Sequence, residues 1–261
     1  MAALSGAGKR REIITQQLAQ ENVVHVAELS RRFGVSEVSI RRDLERLESR
    51  GLLQRVHGGA VAVAIGSGAG EITPAPTPHL EEKRRIGRAA AALVQPGDRL
   101  LFDSGTTVLE TARALGNGLV GLGTLTAITC SLLIVEELSH HREIHMLLLG
   151  GIYLPEHCLV TGPQTIESLR SFHVDKMFLG ADGMTLSHGV TTANVLEAEV
   201  DRAMMKAADE VILVADSSKI GGIGLTPILP LERVHKLVTD GNAPAAFVNA
   251  LRDAGVEVIL V

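Results

Sequence analysis

The stretch Arg31-Arg32-Phe33-Gly34-Val35-Ser36-Glu37-Val38-Ser39-Ile40-Arg41-Arg42-Asp43-Leu44 decides the reading of this chain, because two helical patterns meet in it around one glycine. Ahead of Gly34, Val26, Leu29 and Phe33 recur at intervals of three and four, the spacing of a helix with one dry face. After it, Ser36 offers an N-cap and Glu37 an acid for the positive end of a new helix. Ile40, Leu44 and Leu47 then form its apolar stripe, up to a C-cap at Gly51. Turning about 100° per residue puts Leu44 and Leu47 within about 40° of Ile40, and Val38, Arg42, Glu45, Arg46 and Ser49 on the opposite side, flanked by Ser39 and Arg41. A short helix with a dry side and an Arg-bearing side fits the major groove of duplex DNA. Arginine reaches guanine edges bidentately, and serine hydroxyls such as Ser36 hold phosphates. Taken alone, the same face also reads as an ordinary solvated one paired with Glu45 and Glu48.

Working outward, Lys9–Gln20 carries Ile14 and Leu18 at helical spacing. Downstream, the β-prone runs Leu52–Val56 and Ala60–Val63 flank His57-Gly58-Gly59 as a hairpin, a wing from which Arg55 and His57 can reach the DNA backbone or minor groove. Residues 1–60 hold ten Lys/Arg against seven acids, while the remainder holds 15 against 23. A basic head on an acidic body directs only the head at a polyanion. Aromatics make up 2% of the chain, with no Trp, which excludes recognition by stacked, unpaired bases and leaves duplex DNA. The Gly- and Pro-rich segment Ala64–His79 reads as a linker. The expected domains are therefore residues 1–63, a linker at 64–79, and residues 80–261.

The body alternates strands and helices. Strands are expected at Arg99–Phe102, Leu125–Thr129, Ile144–Leu149, Lys176–Leu179, Val211–Ala215, Lys236–Thr239 and Val256–Leu260. Helices are expected at Glu81–Leu93, Val108–Leu115, Ser131–Leu138, Gln164–Arg170, Leu196–Ala208 and Ala243–Ala254. The fold class is α/β: a winged helix-turn-helix followed by a mainly parallel sheet covered on both faces. Ala114–Val135 carries no charge, but its glycines and hydroxyls read as loop, strand and helix start rather than a membrane span. Two cysteines, Cys130 and Cys158, make no disulfide framework, and without a signal core at the start a cytoplasmic location is expected. The histidines, among them His140, His141, His145 and His157, show no ligand spacing, so neither metal nor cofactor is expected.

Three strand-to-helix turns carry candidate ligand chemistry. In Asp103-Ser104-Gly105-Thr106-Thr107 small residues let an anion approach the backbone, two threonine hydroxyls can donate, and unpaired helix-start amides favour a phosphate. A Ser/Thr-rich helix cap has the same appearance. The other two are Thr129-Cys130-Ser131 and Asp216-Ser217-Ser218-Lys219, where Lys219 is either a surface residue or the charge partner of a phosphate. Asp103, Asp182 and Asp216 can accept sugar hydroxyls or act as loop caps.

The Arg31–Leu44 stretch, with Leu47-Glu48 and Arg55-Val56-His57-Gly58-Gly59-Ala60, closely resembles the helix-turn-helix signature of DeoR-type regulators, with Ser39 where the family usually has Thr. The body follows the same family's effector domain through Glu82-Lys83, Ile86-Gly87, Pro96-Gly97-Asp98, Asp103–Thr107, Gly150-Gly151, Gly162-Pro163, Phe178–Gly183, Gly189–Thr192, Glu197-Ala198 and Ala215–Lys219. The resemblance implies a fold like ribose-5-phosphate isomerase and a phosphorylated sugar effector. It assigns Asp103, Ser104, Gly105, Thr106, Thr107, Thr129, Cys130, Ser131, Gly151, Asp182, Asp216 and Lys219 to the effector site. The Gly180–Thr192 segment and the C-terminus are most similar to the N-acetylgalactosamine branch, which implies a repressor of a sugar or aminosugar catabolic operon. The family commonly has Asn where this chain has Cys130, and a thiol does not replace an amide's donors and acceptor. Two other classes remain open on the residues themselves. One is a sugar-phosphate isomerase with an accessory module, using Asp103, Asp182 or Glu197 as base. The other is an interaction protein whose head dimerises. A regulator is expected to be a homo-oligomer, because paired heads match two half-sites.

Overall fold

The structure, a computed structural model, describes residues 7–21, 23–48, 53–56, 59–61 and 77–261. The chain divides into two compact units, Met1–Pro76 and Thr77–Val261.

In the first unit, α1 (Ala7–Glu21), β1 (Val23–His25), α2 (Val26–Phe33) and α3 (Glu37–Glu48) are followed by β2 (Gln54–Val56) and β3 (Gly59–Val61). The α2–α3 turn forms where the periodicity broke. Gly34 takes a left-handed φ of 64°, free of the strain a side chain would meet there, and its N–H closes α2 on the Ser30 carbonyl. The Ser30 hydroxyl donates to the Val35 carbonyl at 2.6 Å and fixes the exit. Ile14, Leu18, Leu29, Ile40, Leu44 and Leu47 form one core with Val24, Val26, Leu53 and Ala60. Beneath it Asp43, 3% exposed, accepts from Arg10 at 2.6 Å and Arg11 at 3.0 Å, bolting α1 to α3. The expected hairpin is present as β2 and β3, and β1, which the sequence reading missed, extends it to a three-stranded sheet in the order β1-β3-β2. Three residues are too few for alternation to show. The residues at the hairpin turn, His57 and Gly58, and most of the expected linker lie outside the described residues.

The second unit runs α4 (Leu80–Ala91), β4 (Arg99–Phe102), α5 (Thr106–Gly116), β5 (Leu125–Thr129), α6 (Leu132–Leu138), β6 (Ile144–Leu148), β7 (Ile152–Leu154), β8 (Leu159–Thr161), α7 (Pro163–Leu169) and β9 (Val174–Leu179). It continues with β10 (Gly183–Thr185), β11 (Gly189–Thr192), α8 (Val195–Ala207), β12 (Ala208–Val214), β13 (Thr226–Leu229), β14 (Lys236–Thr239), α9 (Ala245–Asp253) and β15 (Glu257–Leu260). Seven strands make a parallel sheet in the order β15-β14-β12-β9-β4-β5-β6. Their side chains alternate between two cores. Leu101, Met177, Leu179 and Leu213 pack with α7, α8 and α9, while Leu100, Phe102, Phe178 and Ile212 pack with α4, α5 and α6. The expected α/β architecture with both faces covered is what forms. Gly87 lets α4 lie directly on α5, since a Cβ there would sit 2.5 Å from the Glu110 carbonyl oxygen.

Short antiparallel strands absent from the sequence reading complete the unit: β7 with β8, and the sheet β10-β11-β13. The uncharged 114–135 segment resolves into the end of α5, a loop, β5 and the start of α6, and no helix among the described residues is long and apolar enough to cross a membrane.

The strand order fixes where a ligand can enter. From β4 the chain moves to β5 and β6 on one side, then returns to β9 on the other side of β4 and continues to β12, β14 and β15. The chain therefore leaves β4 into α5 but leaves β9 into β10, and a crevice opens between these two connections. The rings of Phe102, the last residue of β4, and Phe178, the last but one of β9, stack 5.2 Å apart in the core beneath α4, α5 and α6.

Candidate functional site

On α3 the two faces separate as the spacing requires. Ile40, Leu44 and Leu47 are buried, whereas Val38, Arg41, Arg42, Glu45 and Arg46 are exposed. Val38 is 63% exposed, a large apolar side chain on an otherwise polar face. The Ser36 hydroxyl caps the helix by accepting from the Ser39 amide at 3.3 Å, and the two hydroxyls lie 3.1 Å apart. Arg41 pairs with Glu37 at 2.9 Å, not with Glu45 or Glu48. Arg42 makes no ion pair among the described residues, so its guanidinium stands available. Arg55 is on β2, but its side chain, like all of His57, lies outside what is described.

In the second unit a cleft of about 110 Å³ occupies the crevice at the switch point. It brings together Asp103, Ser104, Gly105, Thr106 and Thr107 from the β4–α5 turn, Asp182 after β9, and Lys219 from a 3-10 turn after β12. Gly105 begins α5 with no side-chain cap, which leaves the first amides of the helix to the cleft. Gly180, Ala181, Thr192, Glu197, Asp201 and Ile228 complete the lining.

Five of the expected effector residues are not in that lining. Thr129 donates to the Phe102 carbonyl at 2.9 Å and accepts from Ser131 N at 3.0 Å, so its hydroxyl is spent holding β5 to β4. Cys130 packs in the α7–α9 core as a small hydrophobe, its thiol raised well above the ordinary range by burial. Ser131, 2% exposed, starts α6 under Leu159. Gly151 sits where a Cβ would be 2.4 Å from the Thr161 carbonyl oxygen, a close packing of β7 on β8. Asp216, 1% exposed, caps the Ser217–Lys219 turn, accepting from Ser218 N at 3.1 Å and from the Ser218 hydroxyl.

The cleft is acid-rich. Asp103 accepts from Gly180 N at 2.9 Å and Ser104 N at 2.5 Å, yet burial still holds its carboxyl above the usual range. Asp201 is pushed up further, by burial and by the charge of Asp103, so burial of the two together favours keeping a proton on the pair. Glu197 is raised by burial against the opposing pull of His157, 3.3 Å away. Thr192 donates to Asp182 at 3.1 Å and to Glu197 at 3.2 Å. Asp201 escaped the sequence reading, although Glu197 and Asp201 sit four apart on α8. Like charges at that spacing are unfavourable in a plain surface helix and therefore flag a site. Among the described residues no group of three or more His, Cys, Asp or Glu is placed to hold a metal ion.

Comparison with known proteins gives the family. Residues 10–65 match the DeoR-like helix-turn-helix domain and residues 78–241 the DeoR C terminal sensor domain. The chain is 36% identical, over 99% of its length and 95% of the relative's, to an Escherichia coli O157:H7 protein named as an aga operon transcriptional repressor. It is 34% identical to the transcriptional repressor GlcR of Bacillus subtilis, over 97% of this chain and 95% of that one. A solved ribose 5-phosphate isomerase A from Methanocaldococcus jannaschii covers 54% of each chain at 20% identity, with a TM-score of 0.40. The cleft and its carboxyls lie within residues 78–241, the part of the chain that matches the sensor domain. The chain is a member of the DeoR family of helix-turn-helix, DNA-binding transcriptional regulators.

Proposed function

We propose that the protein is a cytoplasmic, homo-oligomeric repressor of a sugar or aminosugar catabolic operon that leaves its operator when a phosphorylated sugar fills the cleft. In this reading residues 1–63 bind duplex DNA, 64–79 link, and 80–261 sense the effector. The outward residues of α3 enter the major groove: Arg42 and Arg46 at base edges or phosphates, Ser36, Ser39 and Arg41 at phosphates, and Val38 against a thymine methyl. Arg55 and His57 serve as the wing. The effector's phosphate sits on the amides of Ser104–Thr107 beside Lys219, and its hydroxyls or amine face Asp182, Glu197 and the Asp103–Asp201 pair.

The observation that carries this is the uncapped start of α5 at the switch point, in a cleft that Lys219 also lines, in a chain whose residues 10–65 match the DeoR-like helix-turn-helix domain. Thr129, Cys130, Ser131, Gly151 and Asp216 support this site from behind rather than touching the ligand. Thermal-shift titration with ribose 5-phosphate, glucosamine 6-phosphate and N-acetylgalactosamine 6-phosphate tests the sensor. A binder raises Tm with the logarithm of its concentration, and no shift with any of them removes the effector assignment. For the head, Arg42→Ala is expected to lower operator affinity and flatten the log–log salt slope by about 1. An unchanged slope in a mobility-shift series from low to high salt counts against α3 as the reading element.

A further inference from the structure

Behind Lys219 lies a buried charge pair that the cleft does not use. Asp216 engages only one carboxylate oxygen, on Ser218, while its Oδ2 is buried with no hydrogen-bond partner. The nearest cation is Lys83 of α4, whose Nζ lies 3.8 Å from that oxygen. Lys83 is itself 4% exposed. A charge-assisted contact ordinarily closes to about 2.8 Å, so this pair stands about 1 Å open in an interior where an unengaged carboxylate oxygen is costly. The Asp216 carboxylate also caps the Ser217–Lys219 turn, whose Lys219 lines the cleft and carries a charge that opposes that of Lys83. Asp216 is thus shared between a residue lining the cleft and a residue on the first helix of the sensor unit. That helix begins at Leu80, three residues after the unit's first residue, Thr77.

We propose that Lys83 and Asp216 form the relay by which occupancy of the cleft is reported to α4, the helix that receives the segment joining the two units. The relay rests on the reading of the cleft as an anion-binding sensor. An anion beside Lys219 neutralises the charge that opposes Lys83. Lys83 then closes the open contact with Asp216, and α4 is drawn toward the Ser217–Lys219 turn. That turn is the firm end of the linkage, because Asp240, fully buried, accepts from Ser217 N at 2.6 Å. Lys83 is a positioning residue here and touches no ligand. A ligand can act on α4 in this way only if the open and closed pairs bind it with different affinity, which the shared carboxylate provides.

Hydrogen exchange read by mass spectrometry on the full chain tests the relay, with N-acetylgalactosamine 6-phosphate and inorganic phosphate as probes at saturation. Wild type is expected to show slowed exchange at 103–107 and, with it, about fivefold slower exchange across 80–91, at the lower end of ordinary coupling. Lys83→Met is expected to keep the first effect and lose the second. Because that variant strands a buried carboxylate, Lys83→Met with Asp216→Asn, a neutral pair of similar volume, is measured beside it. Retention of the 80–91 response in the double variant overturns the relay. So does a wild type that responds at 103–107 alone, in which case the cleft reading stands without it. No response at 103–107 to either probe removes the cleft reading and the relay together.

Discussion

Asp103 and Asp201 show how a single pair of residues sets the chemistry of this sensor. Burial raises both carboxyls, and for Asp201 the charge of Asp103 adds to it, so the folded chain keeps a proton that the unfolded chain gives up at about pH 4. A raised carboxyl favours the fold below that value, and stability declines as pH climbs from there toward the folded pKa. Asp201→Asn imitates the protonated state. It is expected to flatten the decline and to raise Tm by about 2–4 °C at pH 8, about 1 kcal/mol for a chain of this size. Scanning calorimetry from pH 5 to 8 checks it, and a variant that melts below wild type at pH 8 contradicts it. Of the pair, Asp103 was legible as part of a strand-to-helix turn. Asp201 was not, because it reaches the cleft from a helix whose placement no local pattern announces.

At the scale of elements, α3 owes its position to a charge as much as to its apolar stripe. Asp43 receives two guanidinium groups from α1 and is nearly sealed from water, so removing it leaves both arginines without their partner. Asp43→Ala is expected to cost about 3 kcal/mol in urea unfolding of the first unit, well beyond an exposed pair such as Arg41–Glu37 at about 0.5 kcal/mol. A loss under 1 kcal/mol would mean the bolt is ornamental. The sequence showed the helices here because apolar spacing and Gly34 are local signals. It could not show β1, since a three-residue strand is defined by the β3 edge it pairs with and not by its own composition.

Across the whole molecule, an effector that loosens the grip on DNA must itself bind more weakly when DNA is present, by the same factor. Calorimetric titration of the sugar phosphate found active in the thermal screen, with and without operator DNA, is expected to give Kd values differing by about fivefold or more. Equal values would leave the cleft unconnected to the head.

The order of helix, turn, helix and hairpin, the α/β alternation and the small-residue turn after β4 were settled by the sequence, because periodicity, capping and the conformational freedom of glycine act within a few residues. The adjacency of β4 and β9 was not, and neither were the exclusion of Cys130 from the cleft, the pairing of Asp103 with Asp201, and the approach of Lys83 to Asp216. The three approaches join residues about 75 to 135 positions apart, and only the strand order that minimises exposed apolar surface on both faces of the sheet brings them within reach.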